Sequence, residues 1–147
     1  MVALINIFAF TIFLILMMPS VVVDIRKRII PNWVIFSTVF LWICWQIALF
    51  IVDEKPPSLE NAIGAVVVLV ALVVFVNICE RICKKYLFGG GDMKLIACTT
   101  LFLGVYGMMI ALFFACIISL IYAIPKLRNG IPFAPCMFCG ALISLMA

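Results

Sequence analysis

The sequence predicts an all-α, polytopic integral membrane protein with about six transmembrane helices and both termini outside. Three observations predict it. Of the 147 residues, 69% are hydrophobic and 11% are charged, against roughly 45–50% and about 25% in soluble domains. The apolar residues fall in runs, several near the ~20 residues that a helix needs to cross the hydrocarbon core. The basic residues between those runs keep to alternate loops, which sets an orientation.

Residues 2–23 form the first run. It has no basic residues before it and is too long for a cleaved leader, so it reads as a retained span with Pro19 as a candidate kink. Residues 33–52 form the second. The polar stretch DEKPPSLEN separates it from the third, about 62–79. A fourth run, about 95–105, is short for a full span. Residues 107–124 form the fifth, and 133–147, again short, the sixth. No internal repeat is visible, and residues 1–147 read as a single membrane-embedded domain.

Nine of the ten Lys and Arg residues follow the first, third and fifth runs: Arg26, Lys27 and Arg28; Arg81, Lys84, Lys85 and Lys94; Lys126 and Arg128. Only Lys55 lies on the other side, with Asp53, Glu54 and Glu60. The net charge of +4 is therefore a topology signal, spread over short loops, and predicts no nucleic-acid partner. The absence of histidine excludes imidazole catalysis. Seven cysteines include one CxxC, Cys136 and Cys139, without the second pair or histidines of a zinc site. They read as apolar helix residues, and neither a metal nor a cofactor is expected.

Two carboxylates stand out. Asp24 ends the first run in VVVDIRKRIIPN, and Asp92 follows three glycines in YLFGGGDMKL. Each has an ordinary explanation: Asp24 as the partner of a nearby Arg or Lys, Asp92 as an N-cap or first-turn acid. Together they fall at one membrane boundary, where ionisable groups are expensive and tend to mark function. Two carboxylates brought close together cannot both ionise easily. One keeps its proton while the other serves as base toward a water. Gly89, Gly90 and Gly91 would let substrate or backbone approach closely and would allow an unwound entry into the fourth segment.

Three motifs carry a resemblance. GGGDMKL contains GxGD at Gly89–Asp92. DIRKRIIPN joins an aspartate and basic residues to Ile30, Pro31 and Asn32. IPFAPCMFCG opens the last segment. In their order along the chain, DIRKRIIPN, GGGDMKL and IPFAPCMFCG, they resemble the type IV prepilin peptidases. The resemblance implies an intramembrane aspartyl endopeptidase of the inner membrane. It would cut the short basic leader from a prepilin or pseudopilin at the cytoplasmic face. Asp24 and Asp92 match the catalytic pair, with Gly89, Gly90, Gly91, Lys94, Pro31 and Asn32 as substrate-binding candidates. The chain resembles the short, peptidase-only branch, without the methyltransferase domain and its paired CxxC motifs. The expected partners are that substrate and membrane lipid.

The nearest alternative is an archaeal-type preflagellin peptidase, against which the IPN and IPFAP segments weigh. A proton-coupled transporter would place its acids nearer mid-membrane. A non-catalytic assembly protein has no need of the intact pair.

Overall fold

The computed structural model describes residues 1–27, 29–53, 59–84, 89–123 and 132–146. Among these the regular structure is α-helical throughout. Five helices follow in order: α1 (Val2–Lys27), α2 (Asn32–Asp53), α3 (Leu59–Cys83), α4 (Gly90–Ala123) and α5 (Phe133–Met146). The first four are long and apolar enough to cross a membrane. At 1.5 Å per residue, the 14 residues of α5 extend about 21 Å. Pro19 does not end α1, which runs on through it.

The helices are apolar all round. Phe8, Phe36, Phe40, Phe75 and Ile82 are exposed on their outer sides, as suits surfaces that face lipid. Without a hydrophobic driving force between helices, association rests on close packing, and the interior shows two kinds. Phe102 of α4 stacks on Phe13 of α1, with ring centroids 4.4 Å apart, and on Trp45 of α2 at 5.7 Å. Trp45 Nε1 donates to Asn6 Oδ1 at 3.1 Å, closing the cluster against α1. Elsewhere the residues are small. Ala111 and Ala115 of α4 are fully buried and meet Gly140 of α5 backbone to backbone. Ser144 Oγ donates to the Gly107 carbonyl at 2.7 Å.

The expected fourth and fifth segments are not separated by a loop. Both lie within α4, which starts at Gly90, five residues before the expected 95, and breaks at one residue, Gly104, with φ 69° and ψ 176°. A positive φ is open to glycine and strained for other residues. Asn61 Nδ2 of α3 donates to the Leu101 carbonyl at 3.3 Å, which satisfies an acceptor next to the break. A single glycine and one side-chain amide here do the work of a connection. The boundary expected between the fourth and fifth runs, at about 105–107, falls within a few residues of this break.

Candidate functional site

Asp24 belongs to the buried stripe of α1. Ala9, Phe13, Met17, Ser20 and Asp24 are its buried residues, spaced by three and four, so one helix face ends in the carboxylate. Asp24 is only 4% exposed. Its Oδ2 accepts the backbone N–H of Ala134 at 2.9 Å. Ala134 is the second residue of α5, where helical N–H groups have no partner within the helix and the dipole favours negative charge. The segment FAPC thus supplies a donor that fixes Asp24. The amide was not foreseen from the sequence, because backbone donors carry no residue signature. The signal was the IPFAP motif itself, at the start of a helix.

Asp92 lies in the first turn of α4 and is half-buried. Asp24 is near enough for its charge to act on Asp92. Asp92 is a first-turn acid whose own N–H bonds back to the Gly89 carbonyl at 3.1 Å.

The three glycines differ. Gly89 precedes α4, and a Cβ there would lie 3.3 Å from Asp92 Oδ2. Gly90 and Gly91 are helical, so among the described residues the unwound entry expected of all three is confined to Gly89. Gly90 faces open space, with nothing within 4 Å of a Cβ. Gly91 packs on the turn before α2: a Cβ would come 3.1 Å from Ile30 Cβ and 3.6 Å from the Ile30 nitrogen. That contact docks the IPN segment onto the GxGD segment. Pro31 is half-buried, its carbonyl accepting the Val34 N–H at 3.1 Å. Asn32 opens α2 and is exposed.

Lys94 lies two residues beyond Asp92 on α4. Two residues along a helix turn the side chain by about 200°. Lys94 accordingly lines a groove of about 380 Å³ between α2 and α3, with Ile35, Trp42, Ala65, Leu69 and Cys98. Of the cysteines in the CxxC, Cys136 is buried near Asp24, which acts on it electrostatically, and Cys139 is exposed.

A helical membrane protein with a buried carboxylate, a second one beside it and a glycine-flanked approach has the parts of an intramembrane hydrolase. The chain belongs to the type IV leader peptidase family, whose model matches residues 8–124. The match takes in Asp24, Pro31, Asn32, Gly89–Asp92 and Lys94 and stops short of α5. No curated protein and no solved structure matches the chain significantly.

Proposed function

We propose that this peptidase is an aspartyl endopeptidase that removes the basic leader of a prepilin or pseudopilin at the cytoplasmic face of the inner membrane, with Asp24 and Asp92 as the catalytic pair. The observation that carries the reading is the fixed carboxylate. Asp24 is buried, held by the Ala134 amide and within reach of Asp92.

The two environments divide the labour. The Ala134 N–H donates to Asp24 and fixes the orientation of its carboxylate, which suits it as base. Asp92, beside the charge of Asp24, is the member of the pair assigned the shared proton. Asp24 takes a proton from water as the water oxygen attacks the scissile carbonyl carbon. Asp92 gives its proton to the carbonyl oxygen, which becomes a hydroxyl of the tetrahedral intermediate. On collapse the C–N bond breaks, the proton held by Asp24 passes to the leaving nitrogen, and the hydroxyl proton returns to Asp92. The cycle leaves both groups as they began. Open space at Gly90 and the absence of a side chain at Gly89 leave room for an extended substrate strand beside the pair.

The same contacts support a reading of six membrane segments with both termini outside. A straight helix from Asp92 to Ser119 would advance about 40 Å. Yet Asp24 acts on Asp92 and bonds to Ala134, while Ser119 lies against Cys136. These contacts suit a chain that turns back at Gly104, where the helix breaks, so that both ends of α4 come to the level of Asp24. The exposed Arg26 and Lys27 end α1 at this face, which the positive-inside rule assigns to the cytoplasm.

The test is cleavage of a prepilin-like substrate (a basic leader, Gly, then an apolar helix) by purified enzyme. Asp24→Asn and Asp92→Asn are each expected to lose cleavage while keeping membrane insertion and thermal stability. Near-normal turnover by either variant overturns the assignment.

A further inference from the structure

Ser20 lies on the stripe that ends in Asp24, one helical turn before it, and is 0% exposed. Buried hydroxyls in helices have a local solution, donation to the carbonyl four residues back. Thr38, Thr99 and Thr100 all adopt it, at 2.7, 2.8 and 2.9 Å. Ser20 does not: among the described residues its Oγ is buried without a partner. Such a group carries the full cost of its desolvation, and in a bilayer that cost has no solvent to relieve it.

The geometry of a helix relates this hydroxyl to the site. Residues i and i+4 are neighbours on one face, about 5–6 Å apart at Cβ. Cα–Cβ bonds tilt toward the helix N-terminus, so the Asp24 side chain leans back over Ser20. Separations of this kind are spanned by a single water, provided it finds two or more polar partners. Ser20 Oγ and the Asp24 carboxylate are two.

We infer that Ser20 is a positioning residue of the carboxylate pair: its hydroxyl anchors, on the membrane side of Asp24, the water that Asp24 deprotonates. This rests on the peptidase reading for the identity of the step. The hydroxyl makes and breaks no covalent bond. It donates to or accepts from the water, and so holds that water against the base at a depth where free water is scarce. Among the described residues, Asp92 from α4 and Cys136 from α5, itself acted on by Cys139, also bear on Asp24. On α1 itself Arg26 and Lys27 are exposed. The charged residue of α2, Asp53, sits at its other end.

Two readouts on Ser20→Ala test the inference, with Thr38→Ala as a control whose buried hydroxyl is satisfied locally. In cleavage assays, kcat is expected to fall about tenfold, the order of one lost hydrogen bond, with KM within about twofold. The second readout needs no substrate: labelling of Asp24 by a carboxyl-selective reagent, followed by mass spectrometry as a function of pH. The labelling midpoint is expected to move by about half a unit or more in Ser20→Ala and to stay fixed in Thr38→Ala. An unmoved midpoint overturns the inference, whatever the kinetics show. So does a loss of kcat matched by a fall in melting temperature without a midpoint shift, since that is a packing effect. Failure of the wild type to cleave any prepilin-like substrate would sink the peptidase reading alone. The labelling result would still decide whether Ser20 is coupled to Asp24.

Discussion

The two parts of α4 on either side of Gly104 are built on different principles. The first, Gly90–Leu103, carries Asp92 and is held by large rings: Phe102 between Phe13 and Trp45. The second, Val105–Ala123, carries no acid and is held by small residues: Ala111 and Ala115 sit against Gly140 with almost no side chain between the backbones. Rings can slide and re-pack at modest cost, while backbone contacts allow one separation only. The difference teaches how a small bundle divides two tasks. The α4–α5 seam fixes α5, whose N-terminal amide fixes Asp24. The aromatic side leaves the Asp92 segment some latitude. One carboxylate is anchored by a rigid seam and the other is borne on a more adaptable element.

The largest expected effect breaks the rigid side. In Gly140→Ala the new Cβ would fall on the Ala111 carbonyl oxygen, with the Ala115 nitrogen at 3.2 Å. Neither neighbour is a flexible side-chain end, so the helices must part. Overpacking of this sort costs about 1–3 kcal/mol and at times more, and the upper end is expected here. Thermal unfolding in detergent measures it. Because α5 carries the Ala134 amide, cleavage should fall with stability. A fully active, wild-type-stable Gly140→Ala protein would show that the seam is looser than its geometry.

Phe102→Ala tests the adaptable side. In a soluble core this truncation costs about 3–5 kcal/mol. Within a bilayer the transfer term is largely absent, since lipid tails are as apolar as side chains. Mainly lost dispersion contacts remain, and about 2 kcal/mol is expected. Phe102→Leu should recover most of it, because neighbouring rings can close on a smaller apolar group. Equal damage from Phe102→Leu and Phe102→Ala in the same thermal assay would remove the distinction between the two parts of α4.

The same contrast explains what was legible in the sequence. Asp24 and Asp92 stand out because a carboxylate in an apolar chain is rare and because each sits in a recognisable motif. The first three helices follow from run length. The Ala134 donor does not stand out, since every residue but proline offers the same amide. The division near Gly104 is legible in LFLGVYGMM, where two glycines separate the expected runs, but its form, one residue at positive φ and no loop, is not. The motif groups Lys94 with the site, and helical periodicity sets it on the side of α4 that faces the α2–α3 groove. That follows once α4 is known to start at Gly90, and the glycine run, expected to be unwound, concealed the start.

The smallest effect, and the sharpest discrimination, lies within that glycine run. Gly90 and Gly91 are adjacent, both helical, and look alike in sequence. Their surroundings differ. A Cβ at Gly90 meets nothing within 4 Å, so Gly90→Ala should fit without strain. It should even add about 0.5–1 kcal/mol of helix stability, the usual difference between the two residues. At Gly91 a Cβ would sit 3.1 Å from Ile30 Cβ, close enough that the turn before α2 must give by a few tenths of an ångström. That turn is adaptable, so the net effect of Gly91→Ala on stability should be within about 1 kcal/mol, the helix gain offsetting part of the strain. Activity should separate the two variants more clearly than stability. Displacing Ile30 shifts the IPN segment relative to the GxGD segment, and Asp92 lies one residue beyond Gly91. Small misplacements at a catalytic group cost far more in rate than in folding. Gly91→Ala is therefore expected to lower cleavage several-fold, while Gly90→Ala changes it by less than about twofold if the substrate strand passes without touching that position. If Gly90→Ala instead proves the more damaging, with stability intact, the open space at Gly90 is itself the path of the substrate. The reason for a glycine there would then be the approach of the peptide, and the packing of α4 against the IPN turn would be secondary.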